Sequence, residues 1–149
     1  MNKLRVLIAE DHEQMRRRLV RFLCLEFDVV GSVSNGGELV DLATSLNPDV
    51  IVSDVQMPVL SGPEAMKILR RTGCNIPFVL TSIDSCGAEE FIRQGAVAFV
   101  EKLDIGYELA HAVWLAASGI KYLSRGVRSS IVSESDDREK DMQFEVSSA

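Results

Sequence analysis

Four apolar runs in this chain end directly in side chains that can do chemistry. Run 4–9 leads into Glu10-Asp11, 50–53 into Asp54, 78–80 into Thr81-Ser82, and 97–100 into Glu101-Lys102. A charge placed straight after a buried apolar stretch is costly unless it meets a partner. Three carboxylates brought to one place repel one another, and a divalent cation resolves that repulsion. An all-oxygen ligand set beside one lysine selects Mg²⁺ over zinc. Zinc would want His or Cys, and His12 alone cannot supply a site.

Singly, each residue has a plainer reading. Glu10-Asp11 suits a helix N-terminus, Asp54 a turn, Thr81 a strand, and Lys102 a solvated face. Their coincidence at successive run ends is what argues for a site. Other phosphate machinery is missing. The chain has no GxxxxGK[ST] loop and no GxGxxG after a strand, and Asn35-Gly36-Gly37 is only a turn signal. An aspartyl-nucleophile phosphatase would carry a second Asp two residues after the first, where this chain has Gln56. No GxSxG elbow is present.

The elements that must position these residues follow from periodicity. Runs 4–9, 29–33, 50–53, 78–80 and 97–100 are short and rich in Val, Ile and Phe, as strands buried on both faces are. Between them, 14–25 and 38–46 place apolar residues at helical spacing. Helix 61–71 opens Ser61-Gly62-Pro63-Glu64, a capping-box pattern with proline in the first turn. Helices over 84–94 and 105–118 end at Gly95 and Gly119. Five strands alternating with five helices predict a parallel sheet wound on both faces. Its strand C-termini share the edge where such sheets bind ligands.

Composition sets bounds on what that site serves. The chain has 149 residues and a net charge of −6, from 16 basic and 22 acidic residues. That balance disfavours a nucleic-acid surface. Six acids against Arg138 and Lys140 give residues 129–149 a net −4. No apolar run reaches the ~20 residues of a membrane span, and the N-terminus meets acids too early for a signal peptide. Cys24, Cys74 and Cys86 have no CxxC spacing and read as buried or half-buried thiols in a reducing, cytoplasmic compartment. His12 reads as a solvent-facing first-turn residue, and His111 and Trp114 as packing or interface residues. The expected divisions are a domain over 1–120, a linker-like segment or short helix over 121–132, and an acidic disordered tail over 133–149.

On these residues the sequence resembles the receiver domain of two-component response regulators. The resemblance covers about residues 3–118. It rests on Glu10-Asp11, on Asp54 in VIVSDVQMPVLSG with Met57-Pro58 and Gly62, on Thr81 closing FVLT, and on Lys102 in FVEKLD. It implies a flavodoxin-like five-stranded parallel sheet of order 2-1-3-4-5 with five helices. It also implies that Asp54 accepts a phosphoryl group from a sensor histidine kinase or phosphotransfer protein. Mg²⁺ would be held by Asp11, Asp54, Glu10 through water, and the Gln56 carbonyl. Lys102 would pair with a phosphoryl oxygen and Thr81 would donate its hydroxyl to another. Phe99 stands where relatives carry a switch aromatic, often Tyr, and the output face would be the fourth helix, fifth strand and fifth helix.

Leu103 stands where many receivers have Pro, and with GIKYLSRGV this resembles the NarL/FixJ subfamily, whose linker leads to a helix-turn-helix. At 149 residues, the expectation is a stand-alone receiver without that output domain. It would signal through a protein target or a homodimer and make no direct nucleic-acid or membrane contact. It would not be an enzyme beyond its own phosphotransfer and slow dephosphorylation. Two alternatives stay open: a phosphorylation-independent adaptor or dimerisation module, motivated by Gln56 and Phe99, and the receiver part of a truncated helix-turn-helix regulator.

Overall fold

Alternation along each strand divides the apolar residues between two faces of one sheet. Leu7 and Ala9, Ile51, Phe78 and Leu80, and Phe99 enter one core cluster; Val6 and Ile8, Val50 and Val52, Val79, and Ala98 and Val100 enter the other. Strands covered on both sides have no polar face, which is why these runs read as continuously apolar. The computed structural model describes residues 3–132. Residues 133–149, expected from composition to be a disordered tail, lie outside the described residues.

The elements are β1 (Arg5–Ala9), α1 (Glu13–Leu23), β2 (Asp28–Val33), α2 (Gly36–Leu46), β3 (Val50–Asp54), α3 (Gly62–Arg71), β4 (Phe78–Ser82), α4 (Ala88–Arg93), β5 (Ala98–Glu101), a 3-10 turn (Lys102–Asp104), α5 (Ile105–Ala117) and β6 (Tyr122–Leu123). A further helix, α6, covers 125–132. All strand pairs are parallel, in the order β2-β1-β3-β4-β5-β6. The expected order 2-1-3-4-5 is therefore present and extended by a sixth strand. Residues of α2, α3 and α4 pack on one face, and α1 and α5 on the other.

Local chemistry explains several boundaries. Ser61 caps α3 by accepting from the Glu64 N–H, while the Glu64 carboxylate accepts from the Ser61 N–H. The capping box read from sequence is thus formed, and it lowers the Glu64 carboxyl from its ordinary range. Helix α4 begins at Ala88 rather than 84, because Asp84 accepts the Cys86 N–H at 2.9 Å and Gly87 adopts φ +80. That Asx turn uses the residues a first helical turn would need. Gly95 and Gly119 end their helices at positive φ.

The expected burial of all three thiols needs correcting. Cys74 is half-buried, but Cys24 and Cys86 are exposed, since both sit in turns beyond the apolar stripe. Trp114 is half-exposed on α5 and lies against Phe27, ring centroids 5.3 Å apart, while His111 meets the Tyr122 ring edge-on. Among the described residues no helix is long and apolar enough to cross a membrane.

Candidate functional site

The carboxyl ends of β1, β3, β4 and β5 converge on a pocket of about 550 Å³. Asp11, His12, Met15, Asp54, Gln56, Ser82, Ile83, Asp84 and Lys102 line it. Asp54 is the last residue of β3, paired in register with Thr81 of β4, and both are buried. Its position depends on Gly62. A Cβ there would overlap the Asp54 carbonyl oxygen and meet Ser53 Oγ at 2.8 Å, so only glycine lets the loop after β3 return this close. Val59, in the same loop, holds φ +70 although it is β-branched, a strained conformation.

Oxygen atoms of Glu10, Asp11 and Asp54 all lie within 4.8 Å of one another. Glu10 is the inner member, with no solvent exposure, and Asp11 the outer, exposed one. Lys102 Nζ bridges the cluster, 2.7 Å from Glu10 Oε1 and 3.0 Å from Asp54 Oδ2. One ammonium against three carboxylates leaves the pocket short of positive charge. Burial, and then its closeness to Asp54, push the Glu10 carboxyl up to about 7 against the pull of Lys102. Burial opposes the Lys102 charge, but the bonds to Glu10 and Asp54 outweigh it and hold this ammonium above the ordinary lysine value. Glu101 is raised by burial and by Asp104 and Asp84. An all-oxygen donor set with excess negative charge fits a hard divalent cation.

The sequence-derived residues are therefore brought together in part. Glu10, Asp11, Asp54 and Lys102 form the cluster, and Gln56 lines the pocket with its N–H toward Asp54 Oδ1 at 3.4 Å. Thr81, next to last in β4, is paired with Asp54. Phe99 is fully buried on β5 and stacks on Phe91 of α4, centroids 6.2 Å apart. His12 is exposed, as expected, but it also caps α1 and borders the pocket. Sequence reasoning missed Arg16, whose guanidinium donates to the Glu10 carbonyl at 3.0 Å. Its only signal was its place one turn into α1, behind the acids.

A family model described as the response regulator receiver domain matches residues 6–113. The chain belongs to that family. This receiver is 37% identical over 134 residues to the transcriptional regulatory protein LiaR of Bacillus subtilis, a match covering 87% of this chain and 64% of LiaR. It is 38% identical over 104 residues to a protein-glutamate methylesterase/protein-glutamine glutaminase of Hahella chejuensis, covering 66% of this chain and 27% of that protein. Among solved structures, the signal receiver domain of the response regulator NarL from Mycobacterium tuberculosis matches with a TM-score of 0.75 at 29% identity, over 80% of this chain and 99% of that one. The receiver thus spans a little under two thirds of LiaR's length. The family match stops before β6 and α6.

Proposed function

We propose that this receiver accepts a phosphoryl group on Asp54 from a phosphohistidine of a sensor kinase or phosphotransfer protein. The observation that carries the reading is Lys102 Nζ lying 3.0 Å from Asp54 Oδ2 within the three-carboxylate pocket. The new bond joins an Asp54 carboxylate oxygen to phosphorus. The donor's N–P bond breaks, and its electron pair stays on the imidazole. Such a transfer needs positioning and charge neutralisation more than covalent help. Lys102 pairs with a phosphoryl oxygen as a point charge, and the Thr81 hydroxyl donates to another. Asp11, Asp54, Glu10 through water and the Gln56 carbonyl are the groups that would hold Mg²⁺. Bound there, it offsets the carboxylate repulsion and the charge on the transferring group.

The phosphoryl group adds roughly −1.5 to −2 charge at the strand edge. Phe99 and the α4–β5–α5 face would carry that change to a protein target or a second copy. The chain's net −6 supports protein rather than nucleic-acid contacts, and its three unpaired cysteines support a cytoplasmic setting. Intact mass after incubation with Mg²⁺ and phosphoramidate should show about one added phosphoryl, lost in Asp54→Asn and on chelation of Mg²⁺. No adduct, or an adduct that persists in Asp54→Asn, overturns the reading. A second reading, a phosphorylation-independent adaptor, is favoured by Phe99 being already buried and without a hydroxyl. It expects equal partner affinity for the phosphorylated protein and for Asp54→Asn.

A further inference from the structure

The residues that follow α5 are tied to the turn that carries Lys102. Ser124 is fully buried. Its Oγ accepts the Glu101 N–H at 3.0 Å, and its own N–H donates to the Phe99 carbonyl at 3.0 Å. One serine therefore grips β5 on both sides of Val100, immediately before Lys102. Two residues further along, the Gly126 N–H donates to Asp104 at 2.9 Å, and Asp104 closes the 3-10 turn Lys102–Asp104. The clamp thus holds both ends of a short turn whose middle carries an exposed Leu103.

The clamp is itself anchored. The Glu108 carboxylate accepts the Tyr122 hydroxyl and the Arg125 N–H and pairs with Arg128. Val127 is fully buried in the same core cluster as Phe99.

We propose that Ser124 is a positioning residue for Lys102, so that the β6–α6 segment completes the site from outside the family's matched span. This rests on the phosphoacceptor reading above. A buried hydroxyl satisfying a backbone N–H at the base of a turn fixes where the next side chain emerges. Lys102 has a four-carbon stem with much rotamer freedom, so the direction of its Cα–Cβ bond decides whether Nζ reaches Asp54. Losing the Ser124 hydroxyl leaves the Glu101 N–H without its partner and releases the turn. The ammonium then spends less time on the Asp54 oxygen, where an incoming phosphoryl group needs it. Asp11, which would also hold Mg²⁺, lies outside the clamp, while Glu10 and Asp54 are the two carboxylates that Lys102 itself touches.

The test is the rate of phosphoryl uptake from phosphoramidate by the full chain, followed by intact mass over a Mg²⁺ series. Ser124→Ala should slow uptake at saturating Mg²⁺ by roughly tenfold, and Ser124→Thr should restore the rate. In a Lys102→Ala background, Ser124→Ala should cause no further loss, because the two act as one unit. Asp104→Ala, which removes the second anchor of the turn, should slow uptake in the same way and gives an independent reading if Ser124→Ala folds poorly. An equal fall in both backgrounds, or an unchanged rate in Ser124→Ala and Asp104→Ala, overturns the proposal. If the wild-type chain takes up no phosphoryl group, the phosphoacceptor reading itself fails, and this proposal with it.

Discussion

The acidic pocket and the outer edge of β5 sit at the two sides of one turn and treat polar groups in opposite ways. In the pocket, three carboxylates share one ammonium, and Glu10 is pushed up to about 7 by its own burial. At the edge, the Tyr122 hydroxyl and the Ser124, Arg125 and Gly126 amides each donate to a defined acceptor. There the Tyr122 phenol is pushed up to about 12 by burial and by its bond to Glu108. The pocket's excess negative charge suits the cation and the electrophile proposed for it. The edge is satisfied, and its hydrogen bonds reach both ends of the turn that carries Lys102. Function and stability are thus divided between neighbouring regions.

Substitutions can break that division, and the largest effect should come from the proposed phosphoacceptor. Asp54→Asn should reduce phosphoryl uptake by about a hundredfold or more without lowering the Mg²⁺-free melting temperature. A melting temperature that falls would show Asp54 to be structural. Next comes pH. Glu10 binds a proton more tightly in the folded chain, at about 7, than at its ordinary 4.5. The Glu10 contribution to stability in EDTA should therefore be full below pH 4.5 and be lost as pH rises to about 7, lowering the melting temperature by roughly 10 °C. Saturating Mg²⁺ should remove that slope at neutral pH.

The edge should answer differently. Val127 has no exposure, and Val127→Ala should cost about 2 kcal/mol in urea unfolding; a change under ~0.5 kcal/mol would mean that α6 adds little to the core. The smallest effect should be a gain. Val59→Gly removes a β-branched residue from φ +70 and should stabilise by about 0.5 kcal/mol, the relief of left-handed strain less the added unfolded-state freedom of glycine.

Most of the pocket was legible because its residues follow apolar runs that can only be buried strands. Glu10, Asp11, Asp54, Thr81 and Lys102 each end such a run, and parallel winding leaves their run ends on one edge. The α3 cap was legible because Ser61 and Glu64 carry the whole motif locally. The β6–α6 segment was read only as a linker-like segment or short helix over 121–132, with no strand. A two-residue strand has no period, Tyr122-Leu123 pairs only with β5, and Val127 and Ile131 alone make a thin apolar stripe. Their i, i+4 spacing after Gly119 was the available signal, and the polar residues around it left both a linker and a short helix open. Ser124 was invisible for a related reason. Its importance lies in a backbone N–H 23 residues away, which no local pattern encodes.

Trp114 is the chain's single tryptophan, half-exposed against Phe27 on the α1–α5 side of the sheet. Its emission is therefore a built-in reporter for one layer of the molecule. Detachment of α6 from the opposite layer should leave that emission nearly constant while far-ultraviolet ellipticity declines. Fluorescence and circular dichroism would then give separate denaturation midpoints if the β5 edge loosens first, and coincident ones if the molecule unfolds as a single cooperative unit.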